Sequence, residues 1–562
     1  MGFAREDNNR VPGDQSTSGV VTNAVAEQPF TPILGSHSGY SGTRENLLYM
    51  NPVATAEYNK YNVNTLRAFG NLESKVTLTD RLNATARIGG DVYGVDDLRW
   101  LSPKVDRGSG ASVGGIGSSG HTTVTRYLME GFANLDAIQN AKQRLSITAG
   151  GSVEYNTSEL NYVSGQGFPT GFDTYVRTAA QIESYDGSST SNNLVSFFSR
   201  ASYTLMERYQ LSASLRRDGS SRFGTSNRYG VFPALSAGWT VTDESFASGL
   251  AKHATLKVRG SVGTTGNQGI GDFASRTLAS SAPYNGQAGL AGSQFGNPDL
   301  KWEQTREADL GADLTVLNGR VGLIIDGYVR NTTNLLVQRP VPATSGYTTV
   351  WSNVGALRNK GVDLALHTIN YTARGGRFGW NSDFNITFNR NEVTDLYRSP
   401  GDTTTPRVTF TTSSRITSVA AVGQPLGTFY LFKFLRVDPQ TGNALYATYD
   451  GKESLAPSST TDLMYVGNPQ PKYYGGFTNV FDLGAFELRG FLQFSQGGQV
   501  LNLMRIFADD GGNSSDNKVA NVLKRWRKPG DVTDVPRWGR RRARVSSRAA
   551  SSKTDRSFGS AS

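Results

Sequence analysis

The feature that most constrains this chain is a hairpin at Glu307–Arg330. Ala308, Leu310, Ala312, Leu314 and Val316 alternate with Glu307, Asp309, Gly311, Asp313 and Thr315. Asn318-Gly319 then turns the chain, and Val321, Leu323, Ile325, Gly327 and Val329 alternate with Asp326, Tyr328 and Arg330. Asn-Gly between two alternating runs predicts an antiparallel hairpin, because a type I′ turn needs φ > 0 at both central residues. One face is aliphatic with glycine; the other carries charges of both signs. Sandwich strands also alternate, but they usually run about five or six residues. These run about ten, the length a tilted strand needs to cross a bilayer. The aliphatic parity is therefore expected to face lipid, and the charged parity an aqueous lumen.

The pattern recurs along the chain. Alternation starts at Leu66 and continues through hairpins at 66–92, 124–155 and 195–216, a pair at 229–262, and runs near 361–367, 378–388, 429–437, 473–482 and 486–494. The total is about fifteen strands, odd where bacterial barrels have even numbers, so at least one strand is missing from the count. The fold class expected is all-β: an antiparallel transmembrane β-barrel, incomplete. Short turns such as Thr79–Arg81, Met206–Arg208 and Asn318-Gly319 alternate with long segments at Gly94–Thr123, Asn156–Asn193 and Gly263–Pro298. In outer-membrane barrels short turns face the periplasm and long loops face outward, which assigns the two sets to opposite rims.

Four regions follow. Residues 1–65 read as irregular, with a strand only near Pro32–Leu34; 66–500 carry the barrel strands and outer loops; 501–538 form a loop with short helices at Leu501–Ala508 and Val519–Arg527; 539–562 are a basic tail with the composition of disorder. The opening Met1–Gln15 has no basic stretch followed by an apolar core, so a signal peptide is expected upstream of it.

Charged residues make up only 19% of the chain and no apolar run reaches 18 residues, which excludes a helical membrane protein. A mean hydropathy of −0.40 is compatible with a barrel, because half of each strand and the loops are polar. The absence of Cys removes disulfides, thiolate metal sites and thiol catalysis. The net charge of +10 does not describe a nucleic-acid-binding surface, because Lys524–Arg556 holds twelve Lys/Arg against three Asp.

Loop aromatics Trp100, Tyr162, Tyr284, Tyr347 and Trp351 are the candidate ligand contacts, since their faces can stack on sugar rings; interfacial girdles are the competing use of barrel aromatics. Asp509, Asp510, Asn513 and Asp516 supply the hard oxygens calcium takes, but their spacing fits no EF-hand and lacks a closing Glu, so a solvated loop is the expectation. Gly263, Gly266, Gly269 and Gly271 are not followed by the helix a phosphate cradle needs. No carboxylate is set beside a His or a nucleophile motif. Neither catalysis nor a cofactor is expected.

Several blocks carry a family resemblance: RRDGSSRFGTSNRYGVFPALSAGW at Arg216–Trp239, GTTGNQGIG at Gly263–Gly271, NPDLKWE at Asn297–Glu303, VPATSGYTTVWSNVGALRNKGVDLAL ending at Leu366, and GNPQPKYYGGF at Gly467–Phe477. In this order they resemble the SusC/RagA family of TonB-linked outer-membrane transporters. The resemblance implies a barrel of about 22 strands, plugged by an N-terminal domain, in the outer membrane of a Gram-negative bacterium. It also implies a SusD-like surface lipoprotein as partner, coupling to TonB, and import of oligosaccharides or peptides. The chain shows no match to the plug or the TonB-contacting segment, so it is expected to supply wall and outer loops. A passive porin or a siderophore receptor barrel is the alternative. At 544–548 the resemblance still holds, and codon degeneracy over Lys553–Ala561 permits the family's Asp-Gly-Ser-Phe continuation one frame over; the tail is expected to be frame-shifted.

Overall fold

The computed structural model describes residues 2–10, 19–35, 39–40, 49–169, 175–372, 378–398, 407–412, 415–502 and 516–538. In chain order, β1 (Gly2–Asn9) and two short helices, α1 (Val20–Ala26) and α2 (Pro52–Tyr58), precede β2 (Lys60–Thr79), β3 (Leu82–Leu101), β4 (Ile116–Gln139), β5 (Gln143–Gln166) and β6 (Gln181–Leu205). Then come β7 (Tyr209–Ser220), β8 (Tyr229–Thr240), β9 (Ala254–Asn267), the loop hairpin β10 (Leu278–Ser281) and β11 (Leu290–Gln294), and the pair β12 (Glu303–Val316) and β13 (Val321–Thr333). A second loop hairpin, β14 (Leu336–Pro340) and β15 (Thr349–Asn353), leads to β16 (Ala356–Thr372) and β17 (Gly379–Asp395). The connection that follows holds β18 (Arg407–Thr412), β19 (Arg415–Ala421), β20 (Thr428–Phe432), β21 (Phe434–Val437), β22 (Ala444–Ala447), β23 (Glu453–Ser454) and β24 (Leu463–Gly467). The last two strands are β25 (Tyr473–Leu483) and β26 (Phe486–Gln496).

Fifteen strands form one antiparallel wall in which every neighbour is next in sequence apart from the loop strands: β1 through β9, then β12, β13, β16, β17, β25 and β26. The sheet is open, with β1 and β26 at its edges. The Asn318-Gly319 turn forms as the sequence requires. Asn318 has φ 55°, Gly319 φ 86°, and the Arg320 N–H donates to the Leu317 carbonyl. Leu317 also has φ 55°, which its side chain adopts only at a cost.

Because consecutive wall strands are antiparallel, the short turns lie at one rim and the longest connections at the other, as the alternation of loop lengths implies; the 241–253 connection between β8 and β9 is the longer exception at the short-turn rim. The small sheets β18-β19-β20-β24 and β21-β22-β23 build a lobe on the long-loop side. Segment 519–538 docks on it: Trp526 Nε1 donates to Pro439 O, and the Arg537 N–H to Gly442 O.

The structure departs from the sequence reading in definite places. Within 1–65 the described residues hold regular structure that the sequence reading lacked, since β1 pairs with β2 from Gly2↔Phe69 to Asn9↔Asn62, and β2 starts at Lys60. Pro32–Leu34 makes only an isolated bridge, Leu34↔Tyr40. The segments read as loops at 94–123 and 156–193 are largely strand, and the true connections are 102–115 and 167–180. Above the membrane neither face meets lipid, so both faces are polar and the alternation that marks a strand disappears. Phe429–Val437 is not a wall strand. It splits between β20 and β21 in the lobe, where Tyr430, Leu431 and Phe432 are all buried; the run is apolar on both faces because both are covered. The fifteen strands therefore match in number because one strand was missed and one misplaced. Val519–Arg527 holds only a 3-10 turn, Ala520–Lys524. Leu501–Ala508 beyond Asn502, and the tail 539–562, lie outside the described residues.

Candidate functional site

The inner face is built from residues that pair across strands. Arg259↔Gly311↔Asp326↔Asp363↔Thr387 forms one row over β9, β12, β13, β16 and β17. Arg259 reaches over Gly311 to Asp326 at 2.7 Å and also contacts Asp313 at 3.2 Å and Asp309 at 3.7 Å. Gly311 is what permits this, because a Cβ there would sit 2.2 Å from Asp326 Oδ1. Beside it Arg330 pairs with Glu307 at 2.9 Å, and the Tyr328 hydroxyl donates to Asn389 Oδ1. Asp363 stands directly opposite Asp326, with Oδ1 buried and unpartnered among the described residues. Farther round, Arg67 is bidentate on Asp91, and Arg87 joins Glu73 to Glu130. The wall thus presents a polar lining that is largely ion-paired but acidic around Arg259, where one guanidinium faces Asp309, Asp313 and Asp326 and Asp363 stands beside them.

The outer face carries the other parity. Leu310 pairs with Gly260 and Gly327, Ala308 with Val262 and Val329, and Leu314 with Leu256 and Leu323. Leu310 is 67% exposed in the isolated chain. A side chain so apolar and so exposed needs lipid as its solvent.

At the long-loop rim three of the quoted sequence blocks, at 216–239, 263–271 and 297–303, converge on one buried cluster: Phe223, Phe232, Ile270, Ala274, Leu300 and Trp302. Trp302 Nε1 donates to Arg228 O, and the Trp302 ring packs against Phe223 and Phe232. Close approach explains the glycines, since a Cβ on Gly224 would lie 1.8 Å from Pro298 O and one on Gly266 2.1 Å from the Phe232 ring. Arg222 clamps the same region by pairing with Asp272 at 2.9 Å, and Asn192 Nδ2 donates to the same carboxylate. Apart from Gly266, weighed only as part of a phosphate cradle, none of these is singled out by the sequence reading. Glycine spaced among aromatics within a loop was the available signal.

The five candidate aromatics do not form one patch. Tyr162 pairs with Gly120, which pairs with Asp97, so it lies on the inner parity. Trp100 sits three residues from Asp97 on the opposite face, buried edge-on against Phe168 and beneath Gly115. Trp351 is half-buried against the rim cluster. Tyr347 stacks near Phe295 at 5.2 Å, and Tyr284, at the tip of the β10–β11 hairpin, is 84% exposed. Of the calcium candidates only Asp516 is described. It is buried and accepts a hydrogen bond from the Tyr49 hydroxyl; Asp509, Asp510 and Asn513 lie outside the described residues.

The lobe carries its own charge pairs. Lys452 beside Asp450, together with the Thr448 hydroxyl, holds that carboxyl down to about 2. Backbone N–H groups of Ser458 and Tyr449 lower Asp462, and the Thr441 hydroxyl and the Gln440 N–H lower Asp438. These groups fasten turns rather than bind a substrate.

Residues 7–503 match the family profile described as TonB dependent receptor-like, beta-barrel. The TonB-dependent receptor P3 of Formosa agariphila is 30% identical over 467 residues, covering 78% of this chain and 45% of that protein. The TonB-dependent receptor SusC of Bacteroides thetaiotaomicron is 30% identical over 362 residues, 62% of this chain and 35% of SusC. Among solved structures, the RagAB peptide transporter superposes with a TM-score of 0.77 at 23% identity, over 87% of this chain and 54% of that one. The chain spans about half the length of these relatives, or less.

Proposed function

Since this chain belongs to the TonB-dependent receptor-like β-barrel family, a family of outer-membrane proteins, we propose that it supplies the wall, outer rim and outer lobe of an importer of oligosaccharides or peptides. The importer works with a SusD-like surface lipoprotein and draws on TonB. The observation that carries the reading is the two-faced wall, aliphatic outside and lined inside by the Arg259, Asp326 and Asp363 row, which bounds a polar passage. The names of the relatives support the substrate class and the partner.

Within that reading Tyr162 and Tyr284 contact the solute, one from the inner face and one from an exposed loop tip. Trp100, Tyr347 and Trp351 hold the loops that present them. The test measures uptake of labelled oligosaccharides and peptides in the native bacterium, with and without this gene, and again without TonB. Loss of uptake in both deletions is expected. Uptake that needs the gene but not TonB would make the protein a passive porin.

A further inference from the structure

The ion-paired charges of the wall strands described above belong to the inner face. On the outer face of the same strands, four basic side chains lie where the aliphatic band ends on the long-loop side. Along β12 the outward residues run Val316, Leu314, Ala312, Leu310 and Ala308, about 27 Å of strand, and the next outward position is Arg306. Along β16 they run Leu366, Leu364 and Val362, then Lys360 and Arg358; along β17, Phe384, Ile386 and Phe388, then Arg390. Lys360 pairs directly with Arg390, while Arg306 and Arg358 both pair with Asn331, which accepts from Arg358 Nε at 2.9 Å.

Glu392, opposite Arg358, is the acidic member of the group. Arg306, Lys360 and Arg390 are exposed and make no ion pair among the described residues. At the other end of the same face the outward strand positions among the described residues are Val316, Val321, Thr368, Asn370, Ser382 and Trp380, none of them a cation; Arg320 lies in the β12–β13 turn there. Among the described strand residues of this face, the outward cations lie on the side toward which the long loops point.

Adjoining the Arg306 side of the cluster is an open apolar groove of about 860 Å³ that runs across β6 to β13, its near edge lined by Val262, Ala308, Leu310, Gly327 and Val329. It exists because small residues alternate with large ones: Gly260 and Gly327 flank Leu310, and Ala308 lies between Val262 and Val329. Ala308 is the outward neighbour of Arg306 along β12 and Val329 pairs with Lys360, so the near edge of the groove reaches the charges.

We propose that this surface binds a phosphorylated, acylated lipid of the outer leaflet, with its phosphate on Arg306, Lys360 and Arg390 and an acyl chain in the groove. Charge alone fits any anion. The groove adjoining it, on a face turned toward the bilayer, selects a lipid over a soluble phosphate. The proposal rests on the outward parity and the loop-side orientation, not on what the protein imports.

The test uses the protein extracted from its native membrane and placed in phosphatidylcholine nanodiscs doped with diphosphoryl lipid A, with dephosphorylated lipid A, or with neither. Bound lipid is counted by native mass spectrometry. Wild type is expected to retain the diphosphoryl form, and R306Q/K360Q/R390Q to bind it about a hundredfold more weakly, from the attraction of each basic side chain for an anionic surface. The charge-keeping R306K/K360R/R390K is expected to retain it. A308F, which fills the groove and leaves the charges, is expected to weaken retention as well, and it carries the test if the triple variant fails to fold. Equal retention of the dephosphorylated lipid, no loss in either variant, or displacement by millimolar inorganic phosphate would overturn the proposal.

Discussion

Gly311 and Gly327 lie on adjacent strands and opposite faces, and their replacement by alanine separates the two surfaces of the wall. At Gly311 a Cβ would lie 2.9 Å from Arg259 Cζ and only 2.2 Å from Asp326 Oδ1, the latter more than 1 Å inside a normal contact of about 3.5 Å. Asp326 must move, and its 2.7 Å contact with Arg259 is lost. A hydrogen bond between charged groups contributes about 1.5–3 kcal/mol. Arg259 keeps Asp313, and alanine gains roughly 0.5–1 kcal/mol over glycine in a strand, so G311A should cost a net of about 1–2 kcal/mol. At Gly327 the nearest atom to a Cβ is Leu310 O at 3.9 Å, and G327A should be neutral or slightly stabilising. Urea unfolding in lipid vesicles, followed by tryptophan fluorescence, measures both. In a D326A background the cost of G311A should vanish. A G311A protein as stable as G327A, or a cost that persists in the D326A background, would refute the account of this glycine.

The two faces should also differ at the membrane midplane: L310R should cost about 2–4 kcal/mol and D309N far less, measured by the same unfolding. W302A should cost about 3–5 kcal/mol by emptying the rim cluster, and hydrogen exchange should locate the loss at 222–232 and 268–302, not in the short turns. In the lobe, Asp450 and Asp462 have folded pKa values below the ordinary carboxylate value. Their contribution is complete above that value, roughly pH 4, and is lost as pH falls toward 2. Amide exchange at 448–462 should therefore be protected equally at pH 7 and pH 5 once corrected for intrinsic rates, and should lose protection only below about pH 4.

Residues 307–330 were legible in the sequence because lipid on one side and water on the other impose a strict period of two, and because Asn-Gly fixes the turn. β1 was not. Its Arg5, Glu6 and Asp7 put charge on both faces, and its pairing with β2 rests on backbone hydrogen bonds that leave no pattern. The upper halves of β3 to β6 were missed for a related reason, since no lipid reaches them. Leu431 and its neighbours were mistaken for wall because burial on both faces of a small sheet reads as hydrophobic without showing where the sheet sits. At the rim, Trp351 drew attention as a loop aromatic, yet it packs on the cluster of Phe223, Leu300 and Trp302 through contacts distant in sequence. The Arg222–Asp272 clamp spans fifty residues, a pairing visible only after folding.

The central claim is that even-numbered residues of β12 face lipid and odd-numbered ones face the lumen. The chain has no native cysteine, so single cysteines can be placed at each position from 306 to 316 in the protein as it sits in the outer membrane. Each is labelled with a fluorophore, which is then quenched either by brominated acyl chains or by a water-soluble quencher. The account predicts lipid quenching at 308, 310, 312, 314 and 316, and aqueous quenching at 307, 309, 311, 313 and 315. Uniform quenching along the strand, or the inverse alternation, would contradict it.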